Sequence, residues 1–404
     1  MRKMRTLAAL GLASVMALSL AACGGSAAST AESSADAAVS EAEAAAEEAV
    51  SEVEAAAEEA VSEVEEAASE AAEAVESATS EAAAAVESAA PESAGDVDEE
   101  AWKQEPAYGK KLHYWIGASC TSATNLAEHL GYFAEEGLDV EGFKGESDIE
   151  AIGTGQCEIA IGHIAKATVP ATNGVNIEFV GAAHLLQGCK ALYVLADSEY
   201  QHYEDLKGQT ISVPNGIGAS DYNITARLLL EAGMNPLEDV TLTPVEQDAC
   251  VTAMQNNEIQ GALLAESFGY PLVQEGILRK IDSADGNSTN ELCCIIMMNK
   301  DFVAENPITA EKLASCTKRA LKWMGENPEE ATTTLMDLGL YPADKYDMNL
   351  ELHKLMSFGM QSDEYATEQM KGIVEDYIEC GLITATDNAD EVIESLWQPL
   401  GSAE

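Results

Sequence analysis

LHYWIGASCTSATNLAEHLGYFAEEGLDVEGF, residues 112–143, carries the reading of the fold. Leu112–Ile116 is apolar and aromatic, as a half-buried strand requires. Gly117 to Ser122 are small residues and form a loop. Leu126, Leu130 and Phe133 then recur at helical spacing, and Gly137 stops the pattern. Leu138–Phe143 returns to strand character. Strand, loop, helix and strand in this order make a βαβ unit, whose strands run parallel.

The alternation continues outward from this unit. Ile149–Thr154 reads as a short helix. Glu158–Ile161, Ile177–Val180, Ala191–Leu195, Ile211–Val213, Val240–Val245, Gly261–Leu264 and Cys293–Met298 read as strands. Ser220–Ala232 and Ala249–Asn256 read as helices between them. The expected class is α/β with mostly parallel sheets. From Thr309 to Leu396 the pattern is helical, and in its first helix Leu313, Cys316, Ala320 and Trp323 or Met324 form the apolar stripe.

Upstream of residue 101 the chain has a different character. Arg2, Lys3 and Arg5 precede an apolar stretch from Leu7 to Leu20, and Leu20-Ala21-Ala22-Cys23 follows. A charged start, an apolar core and small residues before a cut describe a secretory signal over residues 1–22. Cys23 at that cut resembles the cysteine of a bacterial lipobox, which implies lipidation there and an anchor segment over 23–37. The protein is then expected outside the cytoplasm, lipid-anchored to the outer face of the cell membrane and touching it through the lipid alone. Residues 38–100 form an acidic stalk. Ala38 to Glu48 reads AVSEAEAAAEE, Ala49 to Glu59 reads AVSEVEAAAEE, and a third copy opens at Ala60. Eleven residues make three helical turns, so Val39, Val50 and Val61 share a stripe. So sparse a stripe suits a solvated helix or an acidic coil better than a coiled coil.

Charge excludes one class of partner. Residues 27–100 hold 23 acids and no lysine or arginine, and residues 101–404 hold 48 acids against 18 bases. Nucleic acid needs positive charge to replace phosphate counterions and is not an expected partner. Besides Cys23, eight cysteines are scattered between Cys120 and Cys380, without the density of a disulfide-stapled scaffold. They read as free thiols in the core, with disulfides the alternative that an even count in an exported protein permits. Cys293 and Cys294, adjacent in a strand, should point to opposite faces. His113, His129, His163, His184, His202 and His353 are dispersed and no Cys-x-x-Cys pair occurs, so neither a metal site nor a cofactor is expected.

Several stretches resemble one family. Leu126–Val140 is similar to the first helix and second strand of nitrate/sulfonate/taurine-type solute-binding proteins of ABC importers, a group that includes thiamine-precursor binders. Ala151–Gly162 (AIGTGQCEIAIG) is similar to their next helix, turn and strand. Asp205–Pro214, Leu228–Leu242 and Met254–Leu264 resemble the opening and body of their second lobe, and Asp301–Ala331 their C-terminal helices. The resemblance covers about 110–400. It implies a type II periplasmic-binding fold: two α/β lobes joined by two crossovers near Leu195–Asp197 and Glu291–Cys293. Lobe one would be 110–196 plus 293–404, and lobe two 197–292. It further implies a monomer that captures a small solute in the cleft, a sulfonate, taurine or a pyrimidine-like vitamin precursor. An ABC permease and its ATPase would be the partners.

Ligands of open α/β sheets sit beyond the carboxyl ends of strands, which selects the candidate residues. Ser119, Cys120, Thr121 and Ser122 follow the first strand and offer hydroxyls and amides at a helix start. Gly216, Gly218 and Ser220 follow the strand ending at Val213, and glycine there permits close backbone approach. His163 follows Glu158–Ile161, while Glu246 and Glu266 follow two later strands and could fix an amine. Trp115 and Tyr222 could stack on a flat ligand. None of the three main loops contains Lys or Arg, which weighs against a simple anion held by an ion pair. No catalytic residue is expected, since no Walker loop, Gly-x-Ser-x-Gly elbow or His-Glu-x-x-His helix is present. Two alternatives stand beside import: a surface ligand sensor, and an enzyme of the pyrimidine-biosynthesis type, whose cysteine-rich motif Cys293-Cys294 does not reproduce. For the stalk, circular dichroism of excised residues 38–90 is expected to show helix that grows on acidification; a coil spectrum unchanged by acid would refute a helical spacer.

Overall fold

The computed structural model describes residues 98–284 and 291–403, so the signal, Cys23 and almost all of the acidic stalk lie outside the described residues. Among the described residues, ten strands form two five-stranded sheets. The first contains β1 (Lys111–Trp115), β2 (Asp139–Phe143), β3 (Ile159–His163), β4 (Ile177–Leu185) and β10 (Leu292–Asn299), in the order β2-β1-β3-β10-β4. The second contains β5 (Lys190–Leu195), β6 (Thr210–Ser212), β7 (Thr241–Thr243), β8 (Gly261–Ala265) and β9 (Leu278–Ile281), in the order β7-β6-β8-β5-β9.

The βαβ unit forms as its residues dictate. β1 pairs parallel with β2 in register from Lys111–Asp139 to Trp115–Phe143. Its helix is broken in two, Ala123–His129 and Tyr132–Glu135, because Gly131 adopts a left-handed φ of 80°. Leu126 and Phe133 of the apolar spacing are buried, while Leu130 packs only partly against the core.

Two strands depart from the parallel expectation. β5 runs antiparallel to β8 and β9, and β10 runs antiparallel to β3 and β4. Each is the first strand after the chain passes from one sheet to the other. Such a strand arrives without the helical crossover that restores direction in a βαβ unit. The first passage is also displaced from the expected Leu195–Asp197. Lys190–Leu195 pairs within the second sheet, so the chain crosses at Leu186–Cys189. β4 is correspondingly longer than expected and runs through Leu185. β9, of sequence LRKI, has two adjacent polar residues between apolar ends and was not among the expected strands.

Burial follows strand periodicity. On β5, Leu192 and Val194 join the main core, while Ala191 and Tyr193 face a smaller cluster with Cys250, Met254 and Leu264. β10 has no exposed residue and is buried along its whole length. In the helix Pro307–Glu326 the stripe resolves to Leu313, Cys316, Ala320 and Met324, with Trp323 at its edge. The later helices Pro328–Asp337, Tyr346–Met356, Asp363–Glu379 and Ala389–Leu396 complete the helical C-terminal region. Among the described residues, no helix is long and apolar enough to cross a membrane.

A buried cation ties three parts together. Arg227, on the helix Ser220–Glu231, contacts Glu291 just before β10, Glu231 at 2.7 Å and Asp376 at 3.4 Å. Burial pushes the Asp376 carboxyl up to about 6; Arg227 opposes this, and Glu231 and Glu379 add to it. Between about 4 and 6 the folded chain therefore holds a proton the unfolded chain has released, and stability falls as pH rises through that window. Asp376→Asn removes the dependence. Its melting temperature relative to the parent should rise on going from below pH 4 to above pH 6. A difference constant with pH, followed by calorimetry, would contradict the raised carboxyl.

Candidate functional site

A cavity of about 300 Å³ opens where the first passage meets the ends of β1, β3 and β8. Ser119 and Cys120 reach it from the loop after β1, His163 from the end of β3, and Ala265 and Ser267 from the end of β8. Gly188 and Cys189 line it from the passage itself, and Lys190 from the start of β5. Tyr341, Asn349, Leu352 and Met356 close the side formed by the C-terminal helices.

The passage is held to this shape by close contacts. Glu266, 4% exposed, accepts from Gly188 N at 3.2 Å and from Lys280 Nζ at 2.6 Å, and its own N–H donates to Cys189 O. Gly188 has φ of 83°, and a Cβ there would lie 2.5 Å from Leu352 O. On the far wall, His353 Nε2 donates to Met324 O at 3.0 Å, which leaves Nδ1 to accept from the Tyr341 hydroxyl at 2.8 Å. Burial keeps this imidazole neutral, its pKa pushed down to about 4. Burial likewise raises the Tyr341 phenol above its usual range, so its oxygen is a neutral donor to His353 and keeps lone pairs for other partners.

Behind the cavity lies a nest of thiols and imidazoles. Cys294 stands opposite His163 on β3 and opposite His184 on β4, so the three residues form one row across adjacent strands. The expectation that Cys293 and Cys294 face opposite ways fails. The pairing of β10 with β4 shifts register on both sides of Cys294. Such a bulge re-aims side chains, and both sulfurs approach His163 Nδ1, at 3.2 Å and 3.4 Å. Cys120 and Cys189 lie 3.7 Å apart, and Cys293 and Cys294 4.0 Å. All eight cysteines from Cys120 to Cys380 are free thiols.

The nest separates charge. Hydrogen bonds from Cys189 and Cys294 hold Cys120 well below the usual thiol range. Cys293 is held below it too: burial opposes this, but Cys189, Cys294 and His163 outweigh it. Cys189 is raised by its bonds to Cys120 and Cys293, and Cys294 by burial and the same two neighbours. Burial disfavours charge on His163, yet Cys293 and Cys120 push it up to about 9.

The structure brings Ser119, Cys120 and His163 together at one cavity, with Glu266 bracing the wall behind. The other candidates stand elsewhere. Thr121 Oγ1 bonds Ala118, and the fully buried Ser122 donates to Ser119 O at 2.7 Å, so both hydroxyls shape the loop. Gly216 and Gly218 have φ of 90° and 86° and face open space. Ser220 is buried at the start of its helix, with Ala219 as the N-cap residue. Glu246 is exposed on a short turn. Trp115 packs on Phe143, and Tyr222 is buried on its helix. Lys190, Tyr341 and Asn349 were not among the candidates, nor were Cys189, His184, Cys293 and Cys294. Adjacency of Cys293 and Cys294 was the signal available for the last pair.

Two sheets joined at two passages, with a cavity at the strand ends, form the fold of the periplasmic solute-binding proteins. The alkanesulfonate-binding protein SsuA of Xanthomonas axonopodis, bound to MOPS, aligns with a TM-score of 0.55 at 15% identity, covering 73% of this chain and 99% of that one. The aliphatic sulphonate-binding SsuA of Escherichia coli aligns with a TM-score of 0.57 at 16% identity, over 72% of this chain and 92% of that one. Over residues 122–331 the sequence matches the family described as NMT1/THI5 like, and the chain belongs to that family. A formylaminopyrimidine-binding protein of Halalkalibacterium halodurans is 26% identical over 233 residues, 55% of this chain and 68% of that one. A candidate binding protein of Brucella abortus is 24% identical over 221 residues; the match takes in 52% of this chain and 65% of that relative's length.

Gly188→Ala should be more damaging than Gly216→Ala. Both impose an L side chain on a left-handed φ, at a cost of about 1–2 kcal/mol. Only at Gly188 does the added carbon also meet backbone. Thermal melts should show the larger loss for Gly188→Ala, and equal losses would mean the passage yields freely.

Proposed function

We propose that this chain is the extracytoplasmic solute-binding lipoprotein of an ABC importer. It captures a small solute in the cavity beside the first passage, closes on it, and delivers it to the permease while an ATPase supplies the energy. The chain itself does no chemistry and acts as a monomer. Cys23 carries the lipid, residues 38–100 give reach from the membrane, and the two sheets are the cores of the two lobes. The observation that carries this reading is the placement of the cavity. In a member of this family, it sits at strand carboxyl ends where the chain passes between sheets.

The lining favours an anionic head group. Lys190 borders the cavity, no carboxylate does, and no ion pair is formed by Lys190 among the described residues. Ser119, Ser267 and Asn349 supply neutral donors beside it. This reverses the weight that the absence of Lys and Arg from the three loops placed against a sulfonate. Charge-assisted bonds from lysine to a sulfonate or carboxylate are roughly twice as strong as neutral ones. A second reading, a pyrimidine-like vitamin precursor, rests on Tyr341 and Asn349, whose oxygens can accept from an amino group, and on the formylaminopyrimidine-binding relative.

A thermal-shift series on the full chain, with taurine, an aliphatic sulfonate, nitrate, formylaminopyrimidine and hydroxymethylpyrimidine, separates these. A bound solute at a hundred times its dissociation constant stabilises by about 2.7 kcal/mol. A sulfonate should stabilise the parent, and Lys190→Ala should weaken that binding about tenfold or more, a loss of about 1.5–3 kcal/mol. Stabilisation by a pyrimidine alone, indifferent to Lys190→Ala, selects the second reading. No response to any solute would move the assignment to the sensor reading on the same fold.

A further inference from the structure

The thiol and imidazole nest is not explained by solute capture. Fully buried polar side chains are normally satisfied by a partner. His184 is fully buried on β4, and its Nδ1 donates to Leu185 O at 2.7 Å. That bond fixes the tautomer and leaves Nε2 with a bare lone pair, which has no hydrogen-bond partner among the described residues. The ring is further held by Phe358, with centroids 5.2 Å apart. A histidine with one nitrogen tied to a carbonyl and the other free has the arrangement of a metal ligand oriented by its outer shell.

The surrounding donors complete a set. Their ligand atoms fall into triads with members mutually within 4.8 Å: Cys120, His184 and Cys189; Cys120, His163 and Cys294; His163, Cys189 and Cys293; His184, Cys293 and Cys294. Each residue belongs to at least two triads, so the six surround a common region. Around a tetrahedral zinc ion, with Zn–S of about 2.3 Å and Zn–N of about 2.0 Å, two sulfurs lie about 3.8 Å apart and a sulfur and nitrogen about 3.5 Å. The observed sulfur pairs at 3.7 Å and 4.0 Å, and the sulfur–nitrogen pairs at 3.2 Å and 3.4 Å, already match those edges. No carboxylate takes part, so the donor set is soft throughout and selects a thiophilic cation over a hard one.

We propose that Cys120, Cys189, Cys293 and Cys294, with His163 and His184, supply the donors, no more than four at a time, of a binding site for one thiophilic d¹⁰ cation, Zn(II) or Cu(I). The route in is the solute cavity: Cys120, His163 and Cys189 line it, while His184, Cys293 and Cys294 lie behind. The site gathers both passages between the sheets, since Cys189 ends one and Cys293 follows the other.

The test uses the full chain, fully reduced under nitrogen and stripped with a chelator, then dialysed against Zn(II) alone or Cu(I) alone, with metal measured by mass spectrometry. One tightly held equivalent of either ion is expected. Co(II) in place of zinc should give thiolate charge-transfer bands and the intense visible bands of a tetrahedral site. Cys293→Ser with Cys294→Ser should abolish retention, and His184→Ala should weaken it about tenfold or more. Cys120→Ser, at the half-buried cavity wall, provides the same readout should the double variant fail to fold. Cys316→Ser, a buried thiol bonded to Tyr132 O, should retain the metal. Failure of the reduced parent to hold a stoichiometric ion overturns the proposal, as does undiminished affinity in the nest variants. The solute series repeated on chelated chain keeps the two readings apart: stabilisation there stands or falls without the metal.

Discussion

β10 enters the first sheet from the second, and its direction governs the rest of the structure. It is wedged between β3 and β4, buried along its whole length, and antiparallel to both. A strand buried on both faces has no polar face to mark its register, so the register must come from its neighbours. Here the unbroken pairing with β3, from Cys294–His163 to Met298–Ile159, sets it. The pairing with β4 is irregular around Cys294, which stands opposite His184, and Cys293 turns toward the same side. Those irregularities shape the floor of the cavity.

The electrostatic character of that floor is unusual for so acidic a chain. The body carries 48 acids and 18 bases, yet no carboxylate lines the cavity or joins the nest. The ionisable groups there are thiols and imidazoles, with Lys190 beside them at the cavity wall. Three of the buried acids are paired with bases, Glu266 with Lys280, Asp148 with Lys166 and Glu291 with Arg227, while Asp221 accepts from Asn215 N instead. Pairing with bases keeps the cost of burying those acids tolerable, and it leaves the cavity to softer chemistry.

Much of the fold was legible because its signals are local. The apolar spacing of Leu126, Leu130 and Phe133 and the stop at Gly137 need no knowledge of the partner sheet. The order of strands and helices follows from such signals, and so does the expectation of a candidate cavity at the ends of β1 and β3. Direction is not local. Whether Lys190–Leu195 ends one sheet or begins the next depends on pairing with residues more than sixty positions away, and the sequence around it reads the same in either case. β9 was hidden because its apolar ends enclose Arg279 and Lys280. The nest was hidden for a related reason. Its six members span Cys120 to Cys294, with only Cys293 and Cys294 adjacent, and a bulge reverses the alternation that a regular strand would impose.

The first passage, Leu186–Cys189, is four residues long, and a fully extended chain covers at most about 3.6 Å per residue. So short a tether forbids the sheets to slide apart and permits them only to turn about it. In a rotation, an atom moves in proportion to its distance from the axis. Cys189 sits on the tether and Cys120 is 3.7 Å from it, so the sulfurs there have almost no lever arm. Under such a turn those two sulfurs keep their spacing, as the pin of a door hinge stays still.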